Sequence, residues 1–334
     1  MKICVVGGTG NISTSFVRLL LAQGHDVTCF NRGKRGTVPE GAKVIHGDRA
    51  DRVAFEQSMQ AQRFDAAIDM ICFTPEDARS DLRAFRGVAH FVQCSTVVTY
   101  GLELDWLPAS EDHPLRATDP YGSGKIAADA VFMEAYYREG FPVTIIKPST
   151  TIGPKMGPLR QLGMEFSWVE RIRQGRPILI FGDGTQAIQF LDVEDAAPCF
   201  ANVLGKTHCI GQTYNMVRQG YTTWKAYHQA AMRVLGREVE LVGISLADVK
   251  ALKGFQIPGY ADWVDNFAYN VYFSAAKLYR DVPEFKPVIP LEDTLRKIVA
   301  GADQDGRIPA VPSNNWEDQI IGALRHIRAL QITA

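Results

Sequence analysis

Over its first 150 residues the chain alternates short apolar, β-prone runs with longer segments of helical period, and few folds accept that pattern. The spacing predicts strands at Lys2–Val6, Asp26–Phe30, Lys43–His46, Ala66–Ile71, His90–Cys94 and Val143–Lys147. Helices are predicted between them at Thr14–Gln23, Asp51–Gln62, Pro75–Phe85 and Tyr121–Glu139, the first with Phe16, Leu19 and Leu20 on one face. Strands without polar alternation bury both faces, so the expectation is an α/β fold: a doubly wound, parallel Rossmann-type sheet. After Gly153-Pro154 the rhythm breaks, with Pro or Gly at 154, 157, 158, 175, 177, 182 and 184. Helical stretches follow near Leu159–Gln174, Thr222–Leu235, Ser245–Lys253 and Leu291–Ala300. This divides the chain into a dinucleotide-binding domain over 1–152, rejoined by about 186–215, and a smaller C-terminal substrate lobe over 153–185 and 216–334. Phe190–Leu204 is expected to return to the sheet, and Trp316–Leu330 to be a last helix that packs or forms an interface.

The turn after the first strand is Gly7-Gly8-Thr9-Gly10-Asn11-Ile12-Ser13. Glycines there permit a tight turn, and the N–H groups of the following helix can face a pyrophosphate. Ser13 stands where a third glycine is usual, and its small side chain still permits close helix–sheet packing. The second strand ends in Asn31-Arg32-Gly33-Lys34-Arg35, without the acid that NAD-selective sites use for the ribose 2′-hydroxyl. Arg32, Lys34 and Arg35 can instead meet a 2′-phosphate, or form a solvated basic turn. Asp48 can contact adenine or cap the helix that begins near Asp51.

Later in the chain Tyr121-Gly-Ser-Gly-Lys125 places a phenol and an ammonium on one helix face. Thr96, at the end of a strand, lies 25 residues before Tyr121. The ammonium can favour the phenolate while the hydroxyl holds a substrate oxygen. Ser95 is the alternative hydroxyl. Singly, Tyr121 would be a packing aromatic and Lys125 a solvated lysine; behind a nucleotide loop they describe a redox enzyme.

The chain resembles the extended short-chain dehydrogenase/reductases, the family of nucleotide-sugar epimerases and dehydratases. The likeness runs through the glycine loop, Cys94-Ser95-Thr96-Val97-Val98-Thr99-Tyr100-Gly101, Asp119-Pro120-Tyr121-Gly122-Ser123-Gly124-Lys125, Lys147-Pro148-Ser149-Thr150-Thr151-Ile152-Gly153-Pro154, Phe181-Gly182-Asp183-Gly184-Thr185 and Val193-Glu194-Asp195-Ala196. It implies hydride transfer at a secondary alcohol or ketone, with Thr96, Tyr121 and Lys125 catalytic. The NAD(P) cofactor is expected at Gly7, Gly10, Asn11, Ile12, Asn31, Arg32, Asp48, Lys125 and Pro148, and the substrate at Thr96, Tyr121 and Thr150. NADP is favoured over NAD because of Asn31 and Arg32.

The departures narrow the substrate. Members that bind a nucleoside diphosphate sugar usually carry an Arg shortly after the GDGT element, where this chain has Ile188, and an Asn where it has Thr150. Arg160, Arg171 or Arg176 could compensate. The dehydratases follow the catalytic Thr with an acidic pair, and Val97-Val98 argues against dehydration. Tyr221, Trp224 and Trp263 could line a sugar pocket or simply pack. The expected activity is an NAD(P)-dependent oxidoreductase acting on a sugar-like or polyol small molecule. The alternatives are an epimerase working through a transient ketone on tightly bound NAD, and a non-catalytic nucleotide-sensing or RNA-associated family member.

With 46% hydrophobic and 22% charged residues and a formal net charge of −1, the chain buries a full core and offers nothing to nucleic acid or a membrane. The six cysteines form no CxxC pair and the seven histidines no metal-ligand pattern, so no metal is expected. The glycines end the first apolar run too early for a signal peptide, which suggests a cytoplasmic protein. A homodimer is a candidate assembly.

Overall fold

The computed structural model describes residues 1–34 and 36–330, so Arg35 lies outside the described residues. Two compact units form. The first contains the described residues of Met1–Thr151 with Gln189–Gly220 and Tyr272–Ile289; the second contains Ile152–Ile188, Tyr221–Val271 and the described residues from Pro290 onward.

The first unit is built on a parallel sheet of seven strands. They are β1 (Lys2–Val6), β2 (Asp26–Asn31), β3 (Lys43–His46), β4 (Ala66–Asp69), β5 (His90–Cys94), β6 (Val143–Pro148) and β11 (Thr213–Met216), in the order β11-β6-β5-β4-β1-β2-β3. Strand order reverses between β1 and β4, where a doubly wound sheet opens its ligand crevice at the carboxyl ends of the strands. Ile3 to Val6 are fully buried, as a strand covered on both faces requires. One face is packed by α1 (Ser13–Ala22) and α6 (Val193–Val203), whose Phe16 and Phe200 rings stack at 4.9 Å. The other face carries α2 (Arg52–Gln62), α3 (Pro75–Ala84) and α4 (Pro120–Glu139), with Phe55, Phe85, Phe91 and Phe132 in successive ring contact.

Two expectations change. Phe190–Leu204 does not join the seven-stranded sheet: β10 (Phe190–Asp192) pairs instead with the short β7 (Thr150–Ile152) and leads at once into α6. Asp192 caps that helix by accepting from Glu194 N at 2.8 Å. The strand that rejoins the sheet is β11, whose four residues Thr-Tyr-Asn-Met carry too little period to announce themselves. Tyr272–Ile289, which includes α9 (Ala276–Asp281), also belongs to the first unit. Gln189 ties it there, donating to Phe273 O at 3.1 Å and accepting from Phe273 N at 2.9 Å.

In the second unit β8 (Ile178–Phe181) pairs in parallel with β13 (Leu241–Ile244), and β9 (Ala187–Ile188) pairs antiparallel with β12 (Thr222–Thr223). Its helices are α5 (Ser167–Gln174), α7 (Trp224–Leu235), α8 (Leu246–Ala251), α10 (Leu291–Gln304) and α11 (Trp316–Ala329). The helix expected from Leu159 starts only at Ser167, because Gly163 takes a left-handed φ of 116°. The beginning of α11 is locked down. Glu317 is fully buried and accepts from Arg160 at 2.6 Å and from Leu179 N at 2.6 Å, with Arg171 at 3.3 Å. Among the described residues no helix is long and apolar enough to cross a membrane.

Candidate active site

The end of β5 separates two neighbouring hydroxyls. Ser95, 2% exposed, donates to Asp129 Oδ2 at 2.5 Å, which commits its proton to the interior. Thr96 has extended backbone and caps the 3₁₀ turn Val97–Tyr100, its Oγ1 accepting from Val98 N at 3.2 Å. That leaves the Thr96 proton for another acceptor. The ranking of Thr96 over Ser95 therefore has a geometric cause.

Helix α4 begins with Asp119 accepting from Gly122 N at 3.0 Å and Pro120 in its first turn. One turn in, Lys125 is 1% exposed. Its Nζ donates to the carbonyls of Cys72, beyond the end of β4, at 2.8 Å and of Cys94, the last residue of β5, at 2.6 Å. It also lies over the Phe73 ring at 4.6 Å and the Tyr121 ring at 5.9 Å. A Cβ at Gly124 would fall 2.5 Å from Phe73 O, so the glycine lets the loop after β4 ride directly on the helix. Sequence reasoning missed Phe73. It is a 43% exposed phenylalanine, and nothing local in the sequence links it to Tyr121.

Tyr121 is 44% exposed as a residue, yet burial of its phenol is the main force raising its pKa, joined by Cys94, Asp119 and Asp129. The Thr96 hydroxyl opposes them. The chain's own groups thus keep Tyr121 protonated at neutral pH, the state that can give a proton to a ketone.

The glycine loop fits a dinucleotide. Gly7 adopts φ 87° immediately after β1, and a Cβ at Gly8 would lie 2.4 Å from Cys29 Sγ. Ser13 fills the third-glycine position and accepts from Gly10 N at 2.7 Å. Ile12 leads α1 with no side-chain cap, so the helix start stays open to an anion. Asn11 donates to Thr151 O at 3.1 Å. At the end of β2, Asn31 Nδ2 is buried without a hydrogen-bond partner, a donor suited to an adenosine ribose hydroxyl. Beside it Arg32 stands 4.0 Å from Asp48. Asp48 accepts from Ala50 N at 3.0 Å, and Asp51 is the residue that caps α2. Pro148 closes β6 opposite Met216 of β11.

Several expected substrate contacts are not available. Arg160 and Arg171 are fully buried on Glu317, and Arg176 pairs with Asp318, so none is a spare diphosphate clamp. Ile188 is a buried strand residue paired with Thr222. Trp224 is fully buried against Tyr227 and Phe267, which makes it core rather than pocket wall. Tyr221 is 62% exposed and Trp263 packs edge-on against Phe267. Thr150 stands half-buried at the start of β7. The histidines form no metal-binding group among the described residues; His90, lowered by burial to about 4, bonds Thr144 Oγ1 at 2.8 Å. All six cysteines are free and buried.

The sequence model of the NAD dependent epimerase/dehydratase family matches residues 3–83 and 78–216. A chloroplast stem-loop binding protein of 41 kDa from Arabidopsis thaliana is 29% identical over 70% of this chain, which spans 63% of that relative's length. The 2′-dehydrokanamycin reductase of Streptomyces kanamyceticus is 25% identical over 73% of this chain and 69% of its own. Among solved structures, a UDP-glucose 4-epimerase from Thermotoga maritima, crystallised with UDP-glucose, superposes with TM-score 0.72 over 91% of this chain and 99% of its own at 19% identity, a likeness of fold.

Proposed function

The chain belongs to the NAD dependent epimerase/dehydratase family, and from that premise we propose that it is an NAD(P)-dependent oxidoreductase acting at a secondary alcohol or ketone of a sugar-like or polyol small molecule. The observation that carries this is the meeting of the Thr96 hydroxyl, the Tyr121 phenol and the buried Lys125 ammonium at the carboxyl end of β5, in a sheet whose first turn fits a dinucleotide. When bound, NAD(P) supplies or accepts the hydride. Tyr121 gives its proton to the ketone oxygen in reduction and takes the hydroxyl proton in oxidation. Thr96 donates a hydrogen bond to that oxygen, and Lys125 holds the nicotinamide ribose and balances the phenolate. With Val97 and Val98 in the turn after Thr96, no carboxylate stands there to eliminate water.

The substrate is proposed to lack a nucleoside diphosphate, because Ile188 is buried in a strand and Arg160, Arg171 and Arg176 are already paired. The relative named for reducing a dehydrokanamycin supports a glycoside-like ketone. NADP(H) is the proposed cofactor, held by Asn31 and Arg32. A reducing compartment, and with it the cytoplasm, suits the six unpaired cysteines; the proposal takes a homodimer as its assembly.

Two other readings have support. An epimerase would retain NAD and turn over without added oxidant, a reading that the NAD dependent epimerase/dehydratase family supports. The stem-loop binding relative favours an RNA-associated role; the assembled Thr96, Tyr121 and Lys125 and the net charge of −1 favour the enzyme. The deciding experiment is nucleotide release from the purified protein, followed by NADPH oxidation with keto-glycosides and calorimetry with UDP-glucose. Retained NAD with micromolar UDP-glucose binding would overturn the reading in favour of the epimerase.

A further inference from the structure

Behind Thr96 lies a buried charged pair that the proposed chemistry does not use. Lys147, at the end of β6, is 3% exposed, and Asp129, on α4 one turn beyond Lys125, is 5% exposed. Lys147 Nζ donates to Thr99 Oγ1 at 2.8 Å, and that hydroxyl donates onward to Thr96 O at 2.8 Å. The ammonium lies 3.7 Å from Asp129 Oδ2, the oxygen that also accepts from Ser95, and 4.7 Å from the centre of the Tyr100 ring. Tyr100 is pinned in turn, donating to Asn215 Oδ1 of β11 at 2.8 Å.

We propose that Lys147 is a positioning residue for Thr96, acting through the Thr99 hydroxyl and held in place by Asp129. The proposal rests on Tyr121 being the acid–base group that Thr96 serves. A buried ion pair is seldom worth more to stability than an apolar pair of the same size. Here it sits where β5, β6 and α4 converge, and its hydrogen bonds end on the backbone of the residue whose hydroxyl faces the phenol. Thr99 has one proton, given to Thr96 O, and one incoming donor, Lys147, so its rotor is fixed. Removing Lys147 frees the rotor and with it the turn that aims Thr96.

The charged and titratable groups around the phenol are Cys94 from β5 and Asp119, Lys125 and Asp129 from α4. Lys147 faces Asp129 and Glu111. Because these charges act whether or not Thr96 is aligned, the test isolates the part that passes through Thr96. Tyr121 is replaced by a trifluorinated tyrosine, which ionises more readily, and its titration is followed by fluorine NMR in the full chain. Thr96→Val shifts that titration to higher pH, since it removes the hydroxyl that favours the phenolate. Lys147→Met and, separately, Thr99→Val are then each measured with and without Thr96→Val. The expected result is that each moves the titration further upward when Thr96 is present than when it is replaced. Equal shifts in both backgrounds, or none in either, overturn the proposal. Thr99→Val leaves the ion pair intact and carries the test if thermal melting shows that Lys147→Met does not fold. Undiminished turnover in Tyr121→Phe would instead remove the acid–base reading, an outcome separate from this cycle.

Discussion

The ammonium of Lys125 lies 5.9 Å from the centre of the Tyr121 ring while its hydrogen bonds run to the carbonyls of Cys72 and Cys94. The two side chains share a helix face, as their spacing of four requires, yet the lysine is anchored to the strand ends rather than to the phenol. Lys125 is thus a fixed positive charge set by the sheet, and Tyr121 is the group that faces outward.

Tyr121→Phe keeps the ring and removes the proton, so dinucleotide affinity should persist while turnover falls by roughly 10²–10⁴-fold. Lys125→Ala should weaken both. Steady-state kinetics with a keto-glycoside, paired with cofactor titration, reads the difference. Full turnover in Tyr121→Phe would leave the family likeness as fold alone.

Gly8→Ala should disturb the cofactor loop more than Gly10→Ala. A Cβ at Gly8 meets Cys29 Sγ at 2.4 Å and Cys29 Cβ at 2.9 Å, whereas at Gly10 the nearest atom is Ser13 Oγ at 3.1 Å. Overpacking of this kind costs about 1–3 kcal/mol. Denaturant unfolding and dinucleotide titration of the two variants should rank them in that order; equal losses would contradict it.

Arg32→Ala should weaken NADP(H) more than NAD(H). The residue is half exposed and its ion pair with Asp48 is long, at 4.0 Å, so it is available to a 2′-phosphate. Losing a hydrogen bond to a charged group costs about 1.5–3 kcal/mol. Parallel titrations of the two cofactors settle it: identical losses, or a wild-type preference for NAD(H), would rule the assignment out.

Glu317→Ala should destabilise the second unit, by about 3–5 kcal/mol, because it removes the buried carboxylate that Arg160 and Arg171 share and leaves Arg160 only Glu165 at 3.4 Å and Arg171 only Asp318 at 2.9 Å as ion-pair partners. Thermal denaturation is the measurement. A melting temperature unchanged from the wild type would show that Glu165 and Asp318 suffice for Arg160 and Arg171.

Much of the first unit was legible in order. The strands β1 and β5 fall where the sequence places them, because a parallel strand buried on both faces is a near-continuous apolar run; β3 also falls there, although it is an exposed edge strand. The second unit was harder to read. The helix expected from Leu159 loses its first half to Gly163 and to the bonding of Arg160, neither of which alters local apolar period.

By itself the sequence determined the doubly wound sheet, the glycine turn after β1 and the Tyr121–Lys125 face, since each depends on residue type at short spacing. Spacing put Thr96 ahead of Ser95, and tertiary structure supplied the physical reason, since Ser95, just beyond β5, is bound to the buried Asp129 while the Thr96 hydroxyl acts on the phenol. Tertiary structure alone decided that Arg160, Arg171 and Arg176 serve α11, a choice made by carboxylates more than 100 residues away in the chain. Likewise it brought β11 and Tyr272–Ile289 to the first unit, through hydrogen bonds such as those of Gln189 that no local pattern encodes. Short-range chemistry is written in spacing; the partner of a buried charge or hydroxyl is fixed only when distant segments close around it.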